Sequence, residues 1–304
     1  MKKKTIFHLS SAFVLSLVVS LAKAQTVDDA IMMNKKQWCN GLTYMHSSWK
    51  EYWEGTTKRE NKNLGTVTNQ SVMFMSNYGI TDKLNVLATV PYVWTKASAG
   101  TLHGLQGFQD IELDLKYEFY TTKLGKKGRL SFFGVGGFST PLTKYENDFL
   151  PMSIGLGSTN LSGRLTADYQ RGIFFATISS AYVWRSDVTI DRTSYYTDHI
   201  YYTNKVDMPN QLYSNLFVGI RKKNLTAQAQ LLNMYTFGGT DIRKNDMPFA
   251  SNQMNMTSVG AHVKYFLPWV PNLEVIGGAD FVIAGRNVGQ SQTYTGGLYY
   301  VLSL

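Results

Sequence analysis

Along residues 110–119 the chain alternates without a break. Ile111, Leu113, Leu115, Tyr117 and Phe119 hold one parity; Asp110, Glu112, Asp114, Lys116 and Glu118 hold the other. Successive side chains of a strand point to opposite faces, so this segment has one apolar face and one charged face. Segments of this kind recur to the end of the chain. They predict twelve strands, over 42–55, 64–79, 84–96, 109–121, 129–141, 159–170, 173–186, 210–221, 225–237, 253–267, 273–284 and 293–304.

The connections alternate as well. Tight ones, such as Gly79-Ile80-Thr81-Asp82, Arg171-Gly172 and Lys222-Lys223-Asn224, take turns with long ones at 56–63, 97–108, 142–158, 187–209, 238–252 and 285–292. Short turns at one end and long loops at the other are the asymmetry of an outer-membrane barrel. The predicted fold class is therefore all-β, a transmembrane antiparallel up-and-down barrel of about 12 strands with both termini in the periplasm. A secreted β-sandwich or jelly roll also alternates, but its strands are usually about 5–6 residues long. Those predicted here suit a tilted span, which needs about 9–11 residues to cross the bilayer. The final strand alternates Leu298, Tyr300, Leu302 and Leu304, as the closing strand read by the barrel-assembly machinery does, with Leu in place of the usual terminal aromatic.

The N-terminus sets the compartment. Lys2, Lys3 and Lys4 precede an apolar run over 11–22, and Ala22-Lys23-Ala24 is a small-x-small cleavage site. Residues 1–24 thus read as a secretory signal peptide, too short to span as a helix. Residues 25–40 read as a periplasmic N-terminal segment with a short helix over 27–33, and 41–304 as the barrel. The expected location is the outer membrane of a Gram-negative bacterium. Trp49, Tyr52, Trp53, Tyr78, Tyr92, Trp94, Tyr117, Tyr169, Tyr182, Trp184, Trp269 and Tyr300 sit near predicted strand ends and fit the aromatic girdles at headgroup level.

Charge changes this picture little. Four lysines leave with the leader, so the formal +9 falls to +5, and the remaining bases are scattered through turns. No nucleic-acid surface is expected. The single Cys39 makes no intramolecular disulfide, and no zinc pattern is present, so no metal or other cofactor is expected. The expected partners are outer-membrane lipids and a small-molecule solute.

If the apolar parity meets lipid, the other lines the lumen. The candidate solute path consists of Asp110, Glu112, Asp114, Lys116, Glu118, Arg164, Asp168, Arg221, His262 and Lys264, with Met73 and Met75 as adaptable apolar positions. Glu274, Asp280, Met234, Met254 and Met256 share that parity. Acids and bases are mixed, which argues against strong selectivity for one ion sign. The bland alternative is that the charges pair across a narrow barrel and the methionines fill it.

Two motifs invite chemistry. Gly134-Val135-Gly136-Gly137 lies inside a strand with no helix after it, so it lacks the geometry of a phosphate cradle. His46 and Ser48 share a strand face and resemble part of the catalytic arrangement of outer-membrane phospholipase A, yet no third group to orient the base is identifiable. No catalytic residue is expected.

The stretch 78–120 carries a family resemblance. It runs Tyr78-Gly-Ile-Thr-Asp82, then Val90-Pro91-Tyr92, then Gly107-Phe-Gln-Asp110-Ile-Glu-Leu-Asp-Leu-Lys116-Tyr117. This resembles the "MetA-pathway of phenol degradation" family of outer-membrane transporters. The resemblance implies a channel for small, often hydrophobic compounds, with Asp110 and Lys116 as lumen-facing pattern residues; Gln106-Gly107-Phe108-Gln109 departs from the Gly-rich approach to the Asp. The expected function is passive diffusion of such solutes through a narrow, mixed-polarity lumen, with loops 142–158 and 187–209 gathering or gating the ligand. The alternatives are a lipid-hydrolysing barrel enzyme and a plugged structural or adhesive surface barrel.

Overall fold

The computed structural model describes residues 26–243 and 246–304. The proposed signal peptide lies outside the described residues. Twelve long strands close into one antiparallel ring: β1 (Gln37–Trp49), β2 (Val67–Thr81), β3 (Leu84–Ala97), β4 (Asp110–Leu124), β5 (Gly128–Pro141), β6 (Asn160–Arg171), β7 (Phe174–Arg185), β8 (Gln211–Arg221), β9 (Leu225–Thr236), β10 (Asn255–Phe266), β11 (Leu273–Arg286) and β12 (Gln292–Ser303). Each pairs with its sequence neighbours, and β12 closes on β1 with Leu42 opposite Leu298 and Trp38 opposite Leu302. Closure leaves no edge strand, so every strand has partners on both sides, as a backbone in lipid requires.

The polarity is inside out. On β4, Leu113, Leu115 and Tyr117 are 44%, 53% and 49% exposed, whereas Asp114 and Lys116 between them are 3% and 0% exposed. Leu161, Leu165, Phe174, Ile178 and Leu298 continue the apolar outer belt. A soluble sandwich would bury these residues and show the charges, so the pattern decides for a membrane barrel.

Aromatic contacts gather at both rims. Tyr44, Trp94, Tyr92 and Phe108 form one chain, and Tyr182, Trp184, Phe237 and Tyr235 another, at the long-loop end. Phe119, Tyr120 and Phe132 group at the short-turn end. Trp53 departs from the expected girdle. It is buried, because Gly285 and Val288 leave a slot for its ring beneath a hairpin formed by Glu51–Glu54 and Thr57–Glu60.

The long loops pack on themselves. Val188, Ile190, Val206, Met208 and Ala250 form a buried cluster with Leu156, Tyr195 and Phe249. Leu64, Val67 and Met152 form another with Trp49, Leu102 and Phe149. Of the tyrosines in loop 187–209, Tyr195 stacks on Tyr201 at 4.8 Å, while Tyr202 is exposed.

The chain before the barrel differs most from expectation. β1 starts at Gln37 rather than after residue 40, because Cys39 continues the inward parity and Trp38 the outward one. Residues 26–36 form no helix, and they enter the barrel interior rather than lying outside it. Asp29 explains the first point: its carboxylate accepts from the Thr26 and Ile31 main-chain N–H groups at 2.9 and 3.1 Å, which competes with helical bonding.

Candidate functional site

The site is the lumen with the N-terminal strap running through it. Where the strap enters, the Lys36 N–H donates to the Gly79 carbonyl at 2.8 Å and the Lys35 N–H to Asp82 Oδ1 at 2.8 Å. Gly79 is required here, since a Cβ would lie 2.1 Å from the Asn34 carbonyl oxygen. Met33 then seats in an apolar nest of Cys39, Met75, Phe266, Tyr299 and Val301, all on the inward faces of β1, β2, β10 and β12. Apolar burial fixes the strap at this level.

Charge fixes it further in. Asp29 bridges two lysines on opposite walls. Lys116 Nζ on β4 reaches Oδ1 at 2.9 Å, and Lys264 Nζ on β10 reaches Oδ2 at 3.0 Å. Lys116 also donates to the Thr26 and Asp29 carbonyls at 2.9 and 2.6 Å, so all three of its hydrogens are used although it has no exposed surface. Asp28 pairs with Arg164 of β6 at 2.6 Å. Two consecutive acids thus meet three bases from three strands. Asp28 and Asp29 escaped the sequence reading because they lie outside any alternating segment; an acidic pair just before a barrel with inward bases was the available signal.

The strap divides the lumen. On the short-turn side is a cavity of about 730 Å³, lined by Ala30, Ile31 and Met32 of the strap and by Glu118, Arg129, Gln170 and Arg221. On the long-loop side is a chamber of about 450 Å³, lined by Val27 and Asp28 of the strap and by Asp110, Glu112, Arg164, Arg185, Tyr213 and Asn215.

The expected lumen residues fall into three groups. Lys116, Arg164 and Lys264 hold the strap. Asp168, Arg221 and His262 are tied within the wall: Arg221 lies 3.3 Å from Asp168 and stacks over the Phe175 ring, Thr177 donates to Asp168 at 2.6 Å, and His262 meets Asp280 at 3.1 Å. Asp110, Glu112 and Glu118 line the two cavities; Asp114 lies between Glu112 and Lys116 on the inward face of β4 and lines neither. Met75 packs against the strap, and Met73 shares its inward parity without joining that nest. The structure adds two residues. Tyr145, from loop 142–158, donates its hydroxyl to Asp110. Arg185, at the end of β7, donates to the Pro209 carbonyl at 3.2 Å.

His46 and Ser48 lie on the outward face of β1. No hydrogen bond joins them, and none orients His46, among the described residues. Nor do the described residues bring together three or more metal-ligating side chains.

Neither a protein-family model nor a curated relative matches the sequence, so the family resemblance rests on the residues quoted for it. Solved structures do match. A COG4313 outer membrane channel from Pseudomonas putida F1 superimposes with a TM-score of 0.67 at 14% identity, over 92% of this chain and 98% of that one. The KdgM porin in complex with disordered oligogalacturonate gives 0.43 at 10% identity, over 86% and 98%. The NanC porin gives 0.44 at 10%, over 85% and 98%. At these identities the first likeness establishes a shared twelve-stranded outer-membrane barrel fold; the other two are too distant to carry an argument.

Proposed function

We propose that this chain is an outer-membrane channel that passes small solutes by passive diffusion, with the N-terminal strap as its constriction. The observation that carries the reading is the strap itself: its residues line a cavity on each side, so a solute crossing the lumen must pass it. The fold shared with a solved outer membrane channel supports the same reading. In this orientation the short turns and both termini face the periplasm, and the chamber under the long loops receives solute from outside.

The chamber wall mixes Asp28, Asp110, Glu112, Arg164 and Arg185 with Val27, Leu156, Val183 and Leu232. This suits a small solute with a polar end and an apolar body better than a purely hydrophobic one, since a buried charge left facing hydrocarbon is costly. Of the methionines expected to serve apolar ligands, Met75 packs against Met33 of the strap instead.

Single-channel recording on the refolded mature chain in planar bilayers tests this. Defined current steps that enlarge when residues 26–34 are deleted are the expected result. Silence from both proteins overturns it in favour of a plugged structural barrel.

A further inference from the structure

The chamber under the long loops is unbalanced in charge, and the imbalance sits on one strand. Asp28 is neutralised by Arg164 at 2.6 Å. Asp110 receives the Tyr145 hydroxyl. Glu112 and Asp114, next along the inward face of β4, are not matched in this way. Glu112 makes no hydrogen bond or ion pair among the described residues. Asp114 is 3% exposed, and its Oδ2 has no hydrogen-bond partner. Across the chamber on β8, Asn215 is also 3% exposed and lines the cavity with its Oδ1 unpartnered.

Unpaired buried oxygens are unusual, because each forfeits the hydration it had in water. Here the two, on Asp114 and Asn215, share one chemistry: both accept, and the Glu112 carboxylate in the chamber wall accepts as well. Arg164 pairs with Asp28 and Lys116 with Asp29, and Arg185 keeps its charge while donating to a main-chain carbonyl; the four acids Asp28, Asp110, Glu112 and Asp114 still outnumber Arg164 and Arg185. What would satisfy the cluster is a donor carrying positive charge. The rest of the wall offers hydrocarbon, from Val27, Leu156, Val183 and Leu232.

From this geometry we infer a solute-binding subsite for small organic ammonium compounds, with the cationic head toward Glu112, Asp114 and Asn215 and the apolar body against Leu156, Val183 and Leu232. An ammonium brings three N–H donors, charge-assisted toward carboxylates. This deepens the channel reading and rests on it: the subsite lies on the proposed solute path and sets which solutes linger there.

The test uses the full mature chain in planar bilayers in potassium chloride. The probe is n-butylammonium, with butyrate and 1-butanol as size-matched anionic and neutral controls. Butylammonium added from the long-loop side is expected to interrupt the current, and the controls are not. The isosteric double variant Glu112→Gln/Asp114→Asn is expected to weaken the block about tenfold or more, as loss of hydrogen bonds to charged groups implies. Glu112→Asp, which keeps the charge, retains it. Asn215→Leu weakens it less than the double variant does. Equal block by butylammonium and butyrate, or block untouched by the double variant, overturns the subsite while leaving the channel intact. If no protein conducts, the channel reading fails, and calorimetric titration of the refolded barrel with butylammonium decides the subsite alone. Heat lost in the double variant upholds it; no heat in the parent overturns it.

Discussion

The two halves of the lumen solve the problem of inward charge in opposite ways. Below the long-loop chamber, the buried bases that meet the strap or the wall behind it have acidic partners. Lys116 and Lys264 share Asp29, and Asp168 holds Arg221. Around the chamber, Glu112 and Asp114 stand without that match. The lower half is therefore locked by its own side chains, and the upper half is left able to take a charge from outside. Buried pairs stabilise mainly by preventing the cost of their separation. On the proposed channel reading, closure resides in the strap and selectivity in the wall above it.

The comparison breaks most completely if the strap is removed. Deleting residues 26–34 should merge the two cavities and raise single-channel conductance by roughly twofold or more, since a twelve-stranded barrel is wider than one its own side chains can fill. Unchanged conductance in bilayer recordings would show that the strap does not narrow the path.

Asp29→Asn keeps the side chain's shape and its local acceptor oxygen but removes the charge shared by Lys116 and Lys264. Losing charged hydrogen bonds weakens docking by about 1.5–3 kcal/mol, or roughly ten- to a hundredfold in the ratio of docked to undocked strap. The expected sign is a larger share of time in the high-conductance state. Hydrogen exchange over residues 26–36 should accelerate by a similar factor. Asp28→Asn is expected to do the same more weakly, because the Asp28 side chain is 35% exposed and water screens its pair.

Tyr145→Phe sharpens the contrast from above. It removes the hydroxyl that satisfies Asp110, adding one more unmatched carboxylate to the chamber. Burial and the Asp110 carboxylate both push the Tyr145 phenol well above its ordinary pKa, so it remains the donor at any pH in the working range. The variant should move the reversal potential in a potassium chloride gradient modestly toward cation preference. A shift toward anions would contradict the charge assignment. Smallest of all is Lys50→Ala, which breaks the Lys50–Glu60 bridge on the rim, where both side chains are well exposed. Neither conductance nor thermal unfolding should change measurably.

Much of the barrel was legible along the chain. Alternation placed eleven of the twelve strands within about three residues at each end, because lipid outside and polar groups inside impose a period of two; the first, expected over 42–55, lies at Gln37–Trp49, its far end having run into the separate hairpin at Glu51–Glu54. The inward parity of Asp110, Glu112, Asp114, Lys116 and Glu118 follows from the same rule. What each of them does was not legible. Lys116 and Asp114 are two residues apart on one face, yet one is saturated by the strap and the other is not, and no local pattern separates them.

The sequence by itself determined the fold class, the inward and outward faces and the unequal loop lengths, since each is set by neighbours in the chain or by the solvent a face must meet. Only the tertiary structure decided where residues 26–36 go, which charges cancel and which are left over. Those outcomes depend on contacts such as Asp29 with Lys116 and Lys264, 87 and 235 residues apart in sequence. Closing the ring brings these residues together, and sequence periodicity carries no record of that distance.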